Sequence, residues 1–152
     1  MMIDHVWTVL CSHAVTDRDS NSVSLLDVVE QVNIRDKPSP DGGMLTPLDL
    51  MTLWARADLD RPAQGQGRVT FLSPSDEVND GPFEYDIDLS QHRRNRSRGH
   101  FQALHISGSG RHVFRVELRN EGETEWRQVA DIPLEIDFTP PDETGQVESE
   151  AE

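Results

Sequence analysis

The chain has 152 residues, of which 35% are apolar, and a formal net charge of −14 at pH 7. This length suits a single domain with a substantial core. The acidic charge argues against binding to nucleic acid or to anionic membranes, because contacts with phosphates dominate the affinity for such polyanions.

A single cysteine, Cys11, excludes an internal disulfide. The apolar run near the N-terminus is Val6–Cys11, which is too short and wrongly flanked for a signal peptide or a membrane span. We therefore expect a protein of the reducing cytoplasm.

The first third of the chain predicts two strands joined by a turn. Ile3–Cys11 has apolar residues at both odd and even positions, so both faces of the strand are apolar, as in a well-covered strand. The polar stretch 17–21 favours a turn. Val23–Ile34 fits a helical stripe and also, through its many β-branched residues, a strand. Because a turn precedes it, we predict a strand that forms a hairpin with the first.

The middle of the chain predicts four more strands separated by loops. Arg35–Pro47 holds three prolines and two glycines, which is typical of a long surface loop. In chain order the predicted strands are Leu48–Ala57, Arg68–Leu72, Phe83–Leu89 and Phe101–Ile106. The third of them is the clearest, because its large apolar residues alternate strictly with acids.

The strongest pattern runs from Gly108 to Phe138. Within it, Arg111–Arg119 and Thr124–Phe138 alternate apolar with polar residues, and an Asn-Glu-Gly-Glu turn separates them. A period of two with one apolar face is typical of half-buried antiparallel strands. A strand pair cannot bury its apolar face alone, so this hairpin requires a second sheet.

These elements predict an all-β fold: a single antiparallel β-sandwich of about eight strands, of immunoglobulin-like or jelly-roll type, over residues 1–138. Residues 139–152 hold five acids and no base. With one large apolar residue among them, we expect these residues to form a disordered acidic tail. The predicted core includes Trp7, Val9, Leu26, Val28, Leu50, Phe71, Tyr85, Ile87, Phe114, Val116, Leu134 and Ile136.

Four arginines within six residues form the first candidate site: Arg93, Arg94, Arg96 and Arg98. Guanidinium groups bind carboxylates and phosphates bidentately, so this cluster could contact an anion or an acidic partner. The alternative is a solvated sheet edge, whose charges are balanced by the acids at positions 84, 86 and 88 of the preceding strand.

Two histidines form a second candidate, a metal site. If 107–110 is a four-residue loop between two paired strands, His105 faces His112 at a distance that a shared metal would allow. The parity of the neighbouring apolar residues instead favours a three- or five-residue loop, which places the two histidines on opposite faces. No cysteine or carboxylate nearby in the sequence supplies an obvious third ligand, and ordinary strand histidines are the alternative.

The sequence holds no catalytic or cofactor motif. There is no G-x-S-x-G nucleophile elbow, and neither a lysine nor a predicted helix follows Ser107–Gly110, as a phosphate-binding loop would require. Asp17, Asp19 and Asn21 open a calcium-loop pattern that then lacks its glycine and its glutamate. We predict no cofactor.

Three stretches carry a resemblance to known proteins: Met2–Cys11, Ser22–Glu30 and Trp126–Phe138. Together they resemble a group of small bacterial cytoplasmic β-sandwich proteins that share a domain of unknown function. The resemblance implies a sandwich over most of residues 2–138 and supports the strand interpretation of Val23–Ile34. It implies no active site.

The predicted fold and the lack of a catalytic constellation favour a non-catalytic binding or scaffold module. Such a module would contact a protein partner through a sheet face or an edge strand. The alternative is a metal-dependent or hydrolytic enzyme on a cupin-like scaffold that uses His105 and His112. In either case we expect neither nucleic acid nor a membrane as a partner.

Overall fold

The computed structural model describes residues 2–34, 43–106 and 108–138. Over these residues the protein is all-β, and none of them forms a helix that could cross a membrane. The nine strands are β1 (Ile3–Thr16), β2 (Val23–Val28), β3 (Gln31–Ile34), β4 (Gly43–Arg56), β5 (Ala63–Leu72), β6 (Val78–Leu89), β7 (Arg94–His105), β8 (Gly110–Asn120) and β9 (Arg127–Phe138). The predicted tail, residues 139–152, and residues 35–42 of the predicted loop Arg35–Pro47 lie outside the described residues. The rest of that loop, residues 43–47, belongs to β4, so the prediction of a loop there is wrong.

The strands form two sheets that enclose one core. Sheet A has the order β2-β1-β4-β7 and is antiparallel throughout. Sheet B has the order β3-β9-β8-β5-β6 and is antiparallel except for β3, which runs parallel to β9. The prediction of an all-β fold with two packed sheets is confirmed. The count of about eight strands and the purely antiparallel pairing are corrected.

The extra strand arises at Val23–Ile34, which is two strands rather than one. Asp27, inside β2, has a φ of 55°, in the left-handed region that a non-glycine residue seldom adopts, and the strand ends one residue later, at Val28. The chain then leaves sheet A after β2 and enters sheet B at β3. Val29 packs against the core, whereas Leu26 and Val28 are 48% and 60% exposed. The prediction of these two as core residues is therefore wrong.

Eight of the other ten predicted core residues lie in or against the main core, whereas Trp7 packs on the outer face of sheet A and Val9 belongs to no apolar cluster of the described residues. Trp7, Val9 and Tyr85 are half-buried. The predicted members that are buried are Leu50, Phe71, Ile87, Phe114, Val116, Leu134 and Ile136. The ring centroids of Phe71 and Phe114 lie 4.7 Å apart, and burying a side chain of this size contributes about 1.5–3 kcal/mol.

A second, smaller apolar cluster lies on the outer face of sheet A. Side chains alternate along a strand, so Leu50 points into the main core and Met51 points outwards into this cluster. Cys11 and Ala14 of β1 are buried beside Met51. The outer cluster is partly covered by Trp7, Val23 and Leu25. Sheet A is therefore apolar on its outer face as well as on its inner one.

Candidate partner-binding face of sheet A

Three of the four arginines of the predicted contact site lie side by side on this outer face. They belong to β7, the edge strand of sheet A. In the register of β7 and β4, Arg96 lies opposite Leu53. Arg98 lies opposite Met51 of the outer cluster. Because alternate residues of a strand share a face, Arg94 projects on the same side.

The fourth predicted arginine, Arg93, precedes β7 and pairs elsewhere. Its Nη2 lies 3.9 Å from Oδ1 of Asp60, and both side chains are mostly exposed. An exposed pair of this kind contributes about 0–1 kcal/mol. We refer to Arg94, Arg96 and Arg98, with the apolar side chains beside them, as the arginine face.

The arginine face borders an open concavity of about 670 Å³. Its apolar lining comes from Trp7, Met51 and Leu53. Its polar lining comes from the arginines, from His92 and from the turn between β1 and β2. A concave surface that combines apolar side chains with a few polar groups can hold a ligand that carries both kinds of group.

Two members of the arginine face have no carboxylate partner among the described residues. Nη2 of Arg96 donates hydrogen bonds to the backbone oxygen of Asn21 and to its Oδ1, the latter at 3.0 Å. The side chain of Arg94 makes no hydrogen bond and no ion pair with the described part of the chain. Both guanidinium groups therefore keep a charge that no acid of the described residues neutralises.

The outer face of sheet B has the opposite arrangement. Three of its arginines lie 2.9 to 3.1 Å from carboxylates on neighbouring strands. The pairs are Arg68 with Glu117, Arg115 with Asp131, and Arg111 with Glu135. The ring of Trp126 also lies between two guanidinium groups, 4.4 Å from that of Arg68 and 4.5 Å from that of Arg119. On sheet B the protein thus neutralises most of its own arginines.

The acids that the sequence offered as partners for the arginines lie in the other sheet. Glu84, Asp86 and Asp88 belong to β6, which pairs with β5 in sheet B, whereas β7 pairs with β4 in sheet A. The chain changes sheets between β6 and β7, so the predicted cross-strand pairing of these acids with the arginines is wrong.

Arg98 differs from its neighbours because it binds a buried carboxylate. Asp49 of β4 is fully buried. Its Oδ2 accepts hydrogen bonds from Nη2 of Arg98 and from the backbone N–H of Ala14, both at 2.9 Å. Its Oδ1 lies 2.6 Å from Nδ1 of His100. One carboxylate thus ties β1, β4 and β7 together beneath the arginine face.

The hydrogen bonds keep this carboxylate ionised. Burial alone would raise the pKa of Asp49. The hydrogen bonds from His100, Ala14 and Arg98 outweigh burial, so its pKa lies below the ordinary value. Burial and the charge of Asp49 raise the pKa of the neighbouring Cys11 thiol, so Cys11 is not an activated nucleophile.

The two histidines of the predicted metal site lie on strands of different sheets. β7, which carries His105, pairs with β4, whereas β8, which carries His112, pairs with β5 and β9. His105 is exposed. His112 is fully buried and stacks on Phe71 with ring centroids 5.3 Å apart. Within the described ranges, no group of three or more His, Cys, Asp or Glu residues could hold a metal.

Sequence reasoning missed Asp49, although a signal for it existed. Asp49 is the single acid inside the otherwise mostly apolar stretch Leu48–Trp54. A carboxylate in the middle of a buried strand must be paired or hydrogen-bonded, because burying an unpaired charge is very costly. The pattern therefore predicts a buried ionic contact, but its partners depend on the strand register.

The comparisons with known proteins add no family and no function. No protein-family model matches the chain, and no curated protein matches it significantly. Among solved structures, the N-terminal domain of PorA matches with 9% sequence identity and a TM-score of 0.29, over 90% of this chain and 100% of that one.

Proposed function

We propose that this protein is a non-catalytic binding module that uses the arginine face to bind an acidic segment of a protein partner. The observation that carries the proposal is that Arg94 and Arg96 lack carboxylate partners among the described residues, next to the apolar side chains of the concavity. A cytoplasmic setting, which the single cysteine favours, fits this role.

The local charge argues for an acidic ligand. Like charges placed this close repel one another, so an external anion lowers their energy. Elsewhere on its surface the protein supplies that anion itself, as in the pair of Arg115 and Asp131. At Arg94 and Arg96 we assign this role to a partner.

The overall charge argues for a short acidic segment rather than a long polyanion. A chain with a net charge of −14 repels nucleic acid beyond the small cationic area of the arginine face. An acidic peptide segment with apolar residues meets the guanidinium groups and the surface of Trp7 at the same time. Electrostatic complementarity of this kind gives specificity and speeds association.

The test uses a fluorescently labelled peptide of alternating glutamate and leucine as the probe, with binding followed by fluorescence anisotropy. Replacing Arg94 and Arg96 together by glutamine should weaken binding about tenfold, because each exposed contact contributes up to about 1 kcal/mol. The matched control replaces Arg111 and Arg115 by glutamine. It removes the same charge from arginines that already have partners, so the affinity should stay nearly unchanged.

Salt supplies a second readout. Binding by the unaltered protein should weaken steeply as ionic strength rises, whereas the Arg94→Gln/Arg96→Gln variant should show a much flatter dependence. The proposal fails if the unaltered protein does not bind the probe at low salt. It also fails if both double variants bind the probe equally well.

A further inference from the structure

The hydrogen bond between Asp49 and His100 fixes where the imidazole carries its proton. Asp49 is ionised and accepts from Arg98 and from Ala14, so it has no proton to donate. The hydrogen atom in the 2.6 Å contact between Oδ1 of Asp49 and Nδ1 of His100 therefore belongs to the histidine. In the neutral ring, Nε2 is then the nitrogen with the lone pair.

This second nitrogen is free to meet a ligand. No described residue forms a hydrogen bond with Nε2 of His100, and 43% of the His100 side chain is exposed. His100 lies opposite Asp49 in the register of β7 and β4, and shares the parity of Arg94, Arg96 and Arg98 along β7. It therefore continues the row of cationic side chains at the end that is farthest from Arg94.

We propose that His100 is a proton-dependent contact for the acidic partner, held in place by Asp49 as a positioning residue. This inference rests on the proposed function. When the ring is neutral, the lone pair of Nε2 faces the carboxylates of the partner and repels them. When the ring is protonated, Nε2 donates a charge-assisted hydrogen bond to them instead. The arginine face thus binds its partner more tightly when the His100 ring is protonated.

The groups around the Asp49 carboxylate that holds His100 come from three strands. Asp49 of β4 carries a negative charge, and Arg98 of β7 carries a positive one and binds the same carboxylate. β1 contributes the backbone N–H of Ala14 and the Cys11 thiol, which is neutral because its pKa is raised. The partner carboxylate supplies the remaining charge when it binds.

The test measures the affinity for the same glutamate–leucine peptide at about pH 5.5 and at about pH 7.5. The first value lies below the ordinary pKa of a histidine side chain and the second lies above it. The glutamates of the peptide stay ionised at both values. Every protein in the series also carries His92→Gln, so that no other imidazole lines the concavity beside the arginines.

The variants separate His100 from the other histidines. With His100 present, we expect the affinity to be about three- to fivefold higher at the lower pH, as for one partly exposed charge contact. His100→Gln should bind weakly at both pH values, and His100→Arg, which is always charged, should bind tightly at both. The matched control is His105→Gln, since His105 is exposed on the same strand. It should keep the pH dependence.

Nitrogen NMR of the imidazole adds a readout that needs no ligand. In its neutral form the His100 ring should carry its proton on Nδ1, and Asp49→Asn should remove this preference. The inference is overturned if His100→Gln keeps the pH dependence, or if the neutral ring carries its proton on Nε2. In those cases the arginine-dependent binding can still stand. Loss of all binding at both pH values in the unaltered protein overturns the proposed function as well.

Discussion

The aromatic ring of Tyr85 lies directly against the backbone of Gly67. These residues face each other across β5 and β6, and a Cβ atom added to Gly67 would lie 2.3 Å from Cζ of Tyr85 and 2.5 Å from its hydroxyl oxygen. The glycine thus leaves room for the ring to fold over the strand. This contact packs Tyr85 against the core although β6 is an edge strand.

Replacing Gly67 by alanine should lower the free energy of unfolding by about 1–3 kcal/mol, because the new methyl group overlaps the ring. Urea denaturation followed by fluorescence measures the change. In a Tyr85→Ala background the same substitution should be neutral or slightly stabilising, since alanine loses less backbone entropy than glycine on folding. An equal loss of stability in both backgrounds would assign the effect to the backbone and contradict the ring contact.

His112 should make the fold sensitive to mild acid. It is fully buried, and its Nε2 has no hydrogen-bond partner among the described residues. Burial lowers its pKa below the ordinary histidine value. In the window between these two pKa values the unfolded chain binds more protons than the folded one, so stability falls as the pH falls through that window.

The variant His112→Phe keeps a ring against Phe71 and removes the titration. Its free energy of unfolding, measured by urea denaturation between about pH 7.5 and pH 5, should fall less with acid than that of the unaltered protein. Part of this fall in stability with acid should remain, because burial also lowers the pKa of His5. His105→Gln, at an exposed position, serves as the control and should keep the full slope. Identical slopes for His112→Phe and the unaltered protein would contradict the prediction.

Asp49 should contribute stability that disappears only in stronger acid. Its folded pKa is lowered, so its contribution is complete above the unfolded value near 3.9 and is lost as the pH falls through the lower folded value. At pH 7 Asp49→Asn should cost about 2–4 kcal/mol in urea denaturation, because it removes the charge from a buried, hydrogen-bonded group. Asp131→Asn, in a more exposed pair with Arg115, should cost less than about 1 kcal/mol. If the difference in free energy of unfolding between Asp49→Asn and the unaltered protein stayed the same down to about pH 2, Asp49 would not be the ionised group that we assign.

The strands that the sequence predicts best are those whose apolar residues face one core. In β8 and β9 the alternation sets both the strand and the buried face, and the observed register joins Phe114 to Ile132 as an antiparallel hairpin allows. The prediction of one strand over Val23–Ile34 fails because the strand ends at Val28, next to the left-handed Asp27, and the apolar pattern does not encode this break. The parallel pairing of β3 with β9 joins distant parts of the chain, which periodicity cannot reveal.

Of the candidate site, the sequence predicts the arginines on β7 but not the residues of other strands that surround them. The arginine row is visible in the sequence, because alternate residues of a strand share a face. Its surroundings are not visible, since they depend on which strand pairs with β7. Proximity in the chain suggested β6, but β4 is the neighbour and brings Asp49 under Arg98 and His100. That no described carboxylate forms an ion pair with Arg94 or Arg96 is likewise a property of the register and not of the local sequence.

The pairing of β3 with β9 also affects how the chain folds while the ribosome is still synthesising it. All four strands of sheet A have been synthesised once β7 is complete, whereas β8 and β9 emerge last. Until then, the inner face around Trp54 lacks the Phe114 and Leu134 side chains that cover it, and β3 has no neighbour to pair with. Pairings between such distant segments form slowly and leave apolar surface open to aggregation. We therefore expect the nascent chain to depend on chaperones until Phe138 has left the exit tunnel.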